Sequence, residues 1–291
     1  MSDIVGSPTE ASPPRLDPFL RWAGGKRRLV PHLLHALPSD IRERKYHEVF
    51  VGAGSLFLAV QPKKAVLSDA NGHLIACYEW IRQSPDLVAS YLQQHLSRNK
   101  AKYYYEVRDL YNRSASSAAQ AARFVYLNKA CFNGIFRVNM KGEFNVPYGF
   151  KEPPLIPTRS ELRSVSELLK GSTLHARPFE IALEAVAKDD FVYLDPPYPP
   201  LNGTSYFTHY TAERFGELDQ RTLATAVKDL HKRGAKFMMS NADTEMIREI
   251  YADDHFHFVE VSVTRYVTCK AKKHRASELI ITNYPVPGYP K

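Results

Sequence analysis

Residues 191–198 read Phe-Val-Tyr-Leu-Asp-Pro-Pro-Tyr, an apolar run followed by an acid, two prolines and an aromatic ring. The apolar run predicts a buried strand that stops at the prolines, because proline has no backbone N–H to pair within a sheet. Ligands of open α/β sheets bind at the carboxyl ends of the strands, where this segment falls. Its carboxylate, rigid carbonyls and flat ring suit a planar group that carries an –NH2, such as a nucleobase. Taken alone, the segment is equally compatible with a proline-rich strand exit and a surface tyrosine.

A glycine turn between two predicted strands lies earlier in the chain. Residues 46–50 predict the first strand, residues 51–55 the turn, residues 56–60 a helix and residues 65–68 a second strand that ends at Asp69. Glycines in this position let the backbone approach a ligand, and an acid after the second strand can accept hydrogen bonds from a ribose. The third glycine of a dinucleotide-binding turn is missing. We therefore expect a ligand of mononucleoside size, with a plain strand-to-helix turn as the alternative.

The remaining apolar runs predict an α/β fold, a doubly wound and mostly parallel sheet with an antiparallel edge. Further strands are predicted over residues 172–176, 191–194 and 235–240, and helices over residues 162–169, 179–187 and 223–230. Residues 256–267 and 278–284 are rich in β-forming residues and predict the antiparallel pair at the edge.

A basic, mostly helical segment interrupts this sheet between its second and third strands. Apolar spacing predicts helices over residues 72–130, and residues 136–139 and 143–146 predict a β-hairpin with Gly142 in its turn. Residues 71–154 carry 11 Lys/Arg against 6 Asp/Glu. A core that binds a nucleotide-like ligand, with a basic insertion for target recognition beside it, is the layout expected of an enzyme that acts on nucleic acid. The predicted units are a disordered tail over residues 1–18, a catalytic domain over residues 19–70 and 155–291, and the insertion over residues 71–154.

The charge of the chain suggests a polyanionic partner. The formal net charge is +8, and residues 263–277 contain five Lys/Arg and no acid. Basic residues concentrated in two segments are typical of nucleic-acid binding, although solvated surfaces give the same pattern.

Composition argues against several other classes of protein. No apolar run approaches the roughly 20 residues of a membrane span. The three cysteines, Cys77, Cys131 and Cys269, are too far apart for a disulfide framework or a Cys-x-x-Cys metal site. The histidines do not follow a metal-ligand spacing either. We expect a cytoplasmic protein with no membrane contact and no bound metal.

A second unusual segment, Arg-Trp-Ala-Gly-Gly-Lys, occupies residues 21–26. The glycines give an adaptable backbone, Lys26 can pair with a carboxylate, and the ring of Trp22 can cover an apolar or sulfonium group. The alternative is the start of a helix with a buried tryptophan.

Four motifs in a fixed order carry a resemblance to a known family. They are Trp-Ala-Gly-Gly-Lys at 22–26, Phe-Val-Gly-Ala-Gly at 50–54, Ser-Asp-Ala-Asn at 68–71 and Asp-Pro-Pro-Tyr at 195–198. In this order they resemble the Dam-type (D12 class) site-specific DNA adenine-N6 methyltransferases. Residues 132–139 and 141–147 are similar to the DNA-recognition hairpin of that family, and Ser240-Asn241 and residues 275–284 also fit. The resemblance runs from about residue 19 to residue 284.

The resemblance implies S-adenosylmethionine as methyl donor and the N6 amine of adenine in double-stranded DNA as acceptor. It implies that Asp195 and the Pro196 carbonyl accept hydrogen bonds from the target amine, with Pro197 beside them, and that Tyr198 stacks on a flipped base. Phe179 would flank the adenine of the cofactor, although Pro178 stands where the family has an acid. The implied cofactor contacts are Trp22, Lys26, Phe50, Gly52, Gly54, Asp69, Asn71, Phe179 and Asp195.

The resemblance also implies how the DNA is read. Arg137 would donate two hydrogen bonds to a guanine edge, and Asn133 and Asn139 would contact base edges or phosphates. Phe132 would wedge into the space left by the flipped base. Because the hairpin is similar to that of GATC-specific members, we expect GATC as the site. The remaining implied DNA contacts are Pro147 in the hairpin and the phosphate-binding lysines Lys141, Lys270, Lys272 and Lys273.

Two other functions fit parts of the sequence. Related pockets can hold an RNA amine or a protein glutamine amide, although a hairpin for duplex DNA argues against both. A DNA-binding protein that has lost catalysis is the third hypothesis, and the intact Asp195–Tyr198 and Trp22–Lys26 segments argue against it. We expect a monomer, with a cognate restriction endonuclease as a possible partner.

Overall fold

In the computed structural model of the chain, the described residues are 16–150, 154–199, 215–266 and 273–288. Among them, seven strands form one sheet in the order β3-β2-β1-β4-β5-β7-β6. Strands β1 to β5 run parallel to one another. Strand β7 is antiparallel to both of its neighbours, β5 and β6. The strands are β1 Tyr46–Glu48, β2 Ala65–Asp69, β3 Ser172–Ala176, β4 Phe191–Leu194, β5 Lys236–Ala242, β6 His257–Tyr266 and β7 Lys273–Thr282.

Helices cover both faces of this sheet. Alternate residues of β4 show it most directly, since Phe191 and Tyr193 enter one apolar cluster and Val192 and Leu194 enter the other. A sheet buried on both faces needs continuous apolar strands, which is why β4 lacks the alternation of a half-exposed strand. The helices are α1 Val30–His35, α2 Ser55–Val60, α3 Gly72–Gln83, α4 Pro85–Ser97, α5 Ala101–Tyr111, α6 Ala118–Ala130, α7 Arg159–Leu169, α8 Phe179–Glu184, α9 Glu217–Lys232 and α10 Glu245–Ile250.

The predicted fold class is confirmed, including the interruption between β2 and β3 and the antiparallel edge. Several boundaries differ. The first strand ends at Glu48 rather than residue 50, because the chain turns there into the glycine loop. Helix α8 ends at Glu184 instead of residue 187, and α9 begins six residues before the predicted start at 223. No helix in the described part of the chain is long and apolar enough to cross a membrane.

The inserted segment shares a core with the sheet. Tyr104 of α5 and Phe144 belong to the same apolar cluster as Tyr193 of β4. Helix α7, which follows the insertion, packs on α3 and α4. The insertion therefore rests on the face of the sheet that carries Tyr193.

The predicted β-hairpin is only partly correct, because it forms one antiparallel bridge, Val138 with Phe144, instead of two paired strands. Two backbone hydrogen bonds flank this bridge, from Asn139 N–H to the Glu143 carbonyl at 2.9 Å and from Asn145 N–H to the Arg137 carbonyl at 3.1 Å. Side chains from α5 and from the residue that follows it bind the other edge of the second arm. Asn112 donates to the Phe144 carbonyl at 3.1 Å and accepts from the Phe144 N–H at 2.8 Å. Tyr104 donates to the Val146 carbonyl at 2.8 Å. The hairpin is thus held against α5 through its own backbone.

Candidate active site

The glycine loop and the end of β2 form one side of the site. The Asp69 carboxylate accepts from the Gly52 N–H at 3.0 Å and from the Asn71 N–H at 2.9 Å, so it joins the two strand ends. Gly52 has φ +46°, and a Cβ there would lie 2.8 Å from Trp22 Cδ1. Burial raises the pKa of Asp69 to about 6, against the lowering effect of the two backbone hydrogen bonds. A side chain at position 52 would displace Trp22.

The groups around this loop fit a nucleoside. The Asn71 side chain caps α3 through its oxygen, while its Nδ2 is buried without a hydrogen-bond partner in the described part of the chain. Phe50 and Phe179 lie 5.7 Å apart, ring centre to ring centre, and each lies 5.8 Å from Phe215. A carboxylate, an unpaired amide donor and flat aromatic faces are the groups that bind ribose hydroxyls and a purine.

The segment with Trp22 and Lys26 lies across the site and does not start a helix, since α1 begins at Val30. The predicted lysine–carboxylate pair is present, with Lys26 Nζ 2.8 Å from Asp195 Oδ1. The same ammonium donates to the Gly24 carbonyl at 2.6 Å and lies 4.2 Å from the centre of the Tyr198 ring. Lys26 therefore contacts both ends of the Asp195–Tyr198 segment.

Two residues that the sequence analysis did not assign support this segment. Ser240, at the carboxyl end of β5, donates to Asp195 Oδ1 at 2.8 Å and lies 2.9 Å from the Tyr193 hydroxyl. Tyr198 donates to the Glu278 carboxylate at 2.9 Å. Burial raises the pKa of Asp195, and the neighbouring Lys26 opposes that rise. The fit of Ser240-Asn241 to the family was the available signal for Ser240, and Glu278 lies in the 275–284 segment that also fits, but neither residue was given a role there.

A buried acid, Glu48, lies at the end of β1 and was also missed. It is 2% exposed and accepts hydrogen bonds from the Tyr46 hydroxyl at 2.6 Å and the Phe57 N–H at 3.1 Å. Burial raises the pKa of Glu48 to about 8, and the hydrogen bond from Tyr46 opposes this. An acid inside an apolar predicted strand, three residues before the glycine turn at 51–55, was the signal that could have marked it.

We expect Glu48→Gln to remove part of the pH dependence of stability. The folded chain keeps the Glu48 proton up to about pH 8, whereas the unfolded chain releases it near pH 4.3. Since the folded state binds more protons in this window, the free energy of unfolding falls as pH rises, at most by roughly 1.4 kcal/mol per pH unit. Urea denaturation at about pH 5.5 and pH 7.5 should show wild type losing more stability than Glu48→Gln. Equal losses would contradict this role of Glu48.

Six of the nine predicted DNA-contacting residues lie in and around the hairpin, from Phe132 to Pro147. Phe132 is 51% exposed, and Asn133 is exposed with φ +57°. Arg137 is half-buried, and its Nε donates to Asn145 Oδ1 at 2.8 Å. Lys141 and Pro147 are exposed. Lys270 and Lys272 lie outside the described residues, and Lys273 is the first residue of β7.

Asn139 has a structural role in the hairpin turn. Its side-chain oxygen accepts from the N–H groups of Lys141 at 2.9 Å and Glu143 at 3.0 Å. Its amide nitrogen donates to the Glu143 carboxylate at 2.9 Å. The residue therefore shapes the turn that presents Lys141, a use of asparagine that turn chemistry favours. Base reading by Asn139 would compete with these bonds.

Asn128 joins the Trp22 segment to the start of the hairpin. Its amide accepts from the Arg21 N–H and donates to the Arg21 carbonyl, both at 2.8 Å. The Trp22 ring also stacks on Phe136 of the hairpin, with ring centres 5.9 Å apart. The Trp22 side and the hairpin side of the site are thus in direct contact. No group of three or more potential metal ligands occurs among the residues that the structure describes.

Comparisons with known proteins agree with this geometry. The family model for D12 class N6 adenine-specific DNA methyltransferases matches residues 22–267. Type II methyltransferase M.MjaIII of Methanocaldococcus jannaschii is 40% identical over 287 residues, covering 92% of this chain and 99% of that protein. Type II methyltransferase M1.LlaDCHI of Lactococcus lactis subsp. cremoris is 37% identical, covering 92% and 96%. The DNA adenine methylase of Escherichia coli K12 is 34% identical, covering 84% and 87%.

The extent of these matches decides between the functional hypotheses. The family model spans both the Trp22–Lys26 segment and the Asp195–Tyr198 segment, together with the whole insertion between them. DNA adenine is therefore favoured over an RNA amine or a protein amide, and an enzyme over an inactive binding protein. The chain belongs to the D12 class of N6 adenine-specific DNA methyltransferases and is an enzyme that methylates adenine in DNA.

Proposed function

We propose that this enzyme uses S-adenosylmethionine to methylate the adenine of GATC in double-stranded DNA after flipping that base out of the helix. The observation that carries the proposal is the position of Asp195 and Tyr198, which Lys26 bridges beside the glycine loop. A hydrogen-bond acceptor and a stacking ring then lie next to a nucleoside-binding loop. This arrangement can hold the acceptor amine next to the methyl donor, as direct transfer requires.

The cofactor would be held by the groups around the glycine loop. Asp69 would accept from the ribose, Asn71 Nδ2 would donate to it, and Phe50 and Phe179 would cover the adenine. When bound, S-adenosylmethionine supplies a sulfonium methyl group, and the new N–C bond forms as the S–C bond breaks to leave a neutral thioether. Trp22 would cover this part of the ligand, since its ring lies directly against Gly52.

Lys26 covers one face of the Tyr198 ring, so the target adenine would enter on the other face. Tyr198 would stack on the base and offset part of the few kcal/mol that flipping costs. Asp195 and the Pro196 carbonyl would accept the two hydrogens of N6, which favours a pyramidal nitrogen with a free lone pair. After transfer, the nitrogen carries a surplus proton, and Asp195 is the group that we assign to receive it. Its pKa is raised by burial, which suits a proton acceptor.

The hairpin would supply sequence recognition. We expect Arg137→Ala to lower the preference for GATC over sites with one changed guanine by about 10–100-fold, because two hydrogen bonds to a guanine edge are worth about 1–3 kcal/mol. The test compares kcat/KM on duplexes that differ at single base pairs. Lys141→Ala is the matched control, since a phosphate contact should weaken all duplexes alike and lower the salt dependence. Unchanged discrimination in Arg137→Ala would assign the reading to another residue.

The type II names of two relatives are consistent with a cognate restriction endonuclease as partner. A monomer is the proposed state, because one chain contains every residue assigned to the site. Methylation assays on GATC and non-GATC duplexes test the proposed specificity. Equal rates on both would overturn it without affecting the adenine-specific activity.

A further inference from the structure

The backbone of Asp195–Tyr198 is tied to a buried side chain from a distant helix. Gln220 of α9 is 1% exposed, and its Nε2 donates to the Pro197 carbonyl at 3.2 Å. Its Oε1 accepts from Asn241 Nδ2 at 3.1 Å and from the Tyr251 hydroxyl at 2.8 Å. Because a carbonyl only accepts, the atom that faces Pro197 must be the amide nitrogen. Every polar atom of this side chain therefore has a partner.

The contact occurs where the sheet cannot hold the chain. Pro196 and Pro197 have no backbone N–H, so ladder bonds end at Leu194. Ser240 and Lys26 hold the Asp195 side chain, and Glu278 holds the Tyr198 hydroxyl. These contacts do not hold the Pro196-Pro197 backbone between the two residues. Gln220 supplies the missing bond. Among the described residues, the Pro197 carbonyl has this donor while the Pro196 carbonyl accepts no hydrogen bond and can serve the target amine.

We propose that Gln220 is a positioning residue that fixes the Pro-Pro backbone, so that the Pro196 carbonyl and Asp195 keep the geometry that the target amine requires. The inference rests on the proposed roles of Asp195 and Pro196. The role needs one donor and one acceptor on the same side chain. Glutamine has both, and glutamate has both only when its carboxyl group is protonated.

The test measures single-turnover adenine methylation by wild type and Gln220→Glu between about pH 5.5 and 8.5. At high pH the ionised glutamate cannot donate to Pro197, and a misplaced backbone lowers the rate by on the order of 100-fold. At low pH the protonated carboxyl group restores the donor, so the variant approaches the wild-type rate. Because burial raises the pKa of a carboxyl group, this change in rate should occur above the usual pKa of glutamate. Affinity for S-adenosylmethionine, measured by calorimetry at both pH values, should stay within threefold of wild type.

Two further variants sharpen the comparison. Tyr251→Phe keeps the Gln220–Pro197 bond and should lose little rate and show no new pH dependence. Gln220→Met has a similar length and no donor, so it should lose rate equally at every pH, which also covers the case in which Gln220→Glu fails to fold.

Three results would overturn the proposal. They are a Gln220→Glu rate that follows wild type throughout, a loss in that variant without recovery at low pH, and an active Gln220→Met. Asp195→Ala is assayed alongside. Persistent activity in Asp195→Ala refutes the proposed catalytic roles, whereas the pH profile of Gln220→Glu judges the positioning role by itself.

Discussion

Asp195→Ala is expected to lower the single-turnover rate of adenine methylation by about 10³-fold while duplex DNA binding stays within threefold of wild type. The substitution removes the acceptor for the target amine, and losing one such preorganised group costs about 10²–10³-fold in rate. It also leaves Lys26 and Ser240 without the carboxylate that both contact at 2.8 Å. Rapid-quench kinetics on a duplex with one site gives the rate, and fluorescence anisotropy gives the affinity for DNA.

Asp195→Asn is the matched variant for this prediction. It keeps the size of the side chain and one acceptor oxygen, but it cannot take up the proton that leaves the methylated nitrogen. We expect it to fold like wild type and to remain at least about 100-fold slower. An Asp195→Ala enzyme with more than a tenth of the wild-type rate would rule out the catalytic role of this residue.

Gly52→Ala is expected to weaken S-adenosylmethionine binding by at least about 30-fold. Two effects combine, because a Cβ would lie 2.8 Å from Trp22 Cδ1 and because φ is +46° at this position. Backbone strain of this kind costs on the order of 1–3 kcal/mol, and every 1.4 kcal/mol is tenfold in affinity. Isothermal titration calorimetry with the cofactor measures the loss.

Gly142→Ala provides the control for strain alone. Gly142 has φ +78°, and nothing lies within 4 Å of a Cβ built there. It is part of the hairpin turn, away from the glycine loop, so its substitution should leave cofactor affinity within twofold of wild type. If Gly52→Ala binds the cofactor as tightly as Gly142→Ala does, the close packing of Trp22 on the loop is not needed for binding.

The sheet was predictable because its strands carry local signals. Short apolar runs end in glycine turns, acids or prolines, and the rule that ligands bind at carboxyl ends of strands placed Asp69 and Asp195 in one site. The position of β7 between β5 and β6 was not predictable, since strand order depends on long-range pairing that no local pattern encodes. The hairpin was predicted with too much strand, because its two arms pair only around Val138 and Phe144. Asn112, from another part of the chain, binds the backbone of the second arm instead of a further strand.

The residues that support the site were harder to find than those that form it. Gln220, Ser240 and Glu278 come from a helix and two strands that fold together only at the end of β4. Each is a single buried polar residue. Gln220 looks like an ordinary polar position of its helix, and the resemblance covers Ser240 and Glu278 without assigning either a contact. Their importance follows from the prolines, whose missing N–H groups require hydrogen bonds from elsewhere in the fold.

The most direct test of the account is modified-base sequencing of unmethylated plasmid DNA after incubation with S-adenosylmethionine and either wild-type protein or Asp195→Ala. We expect N6-methyladenine at the adenine of GATC with wild type and none with the variant. Modified adenines that persist in Asp195→Ala, or no modified adenine with either protein, would contradict the central claim that the Asp195–Tyr198 segment methylates adenine in DNA.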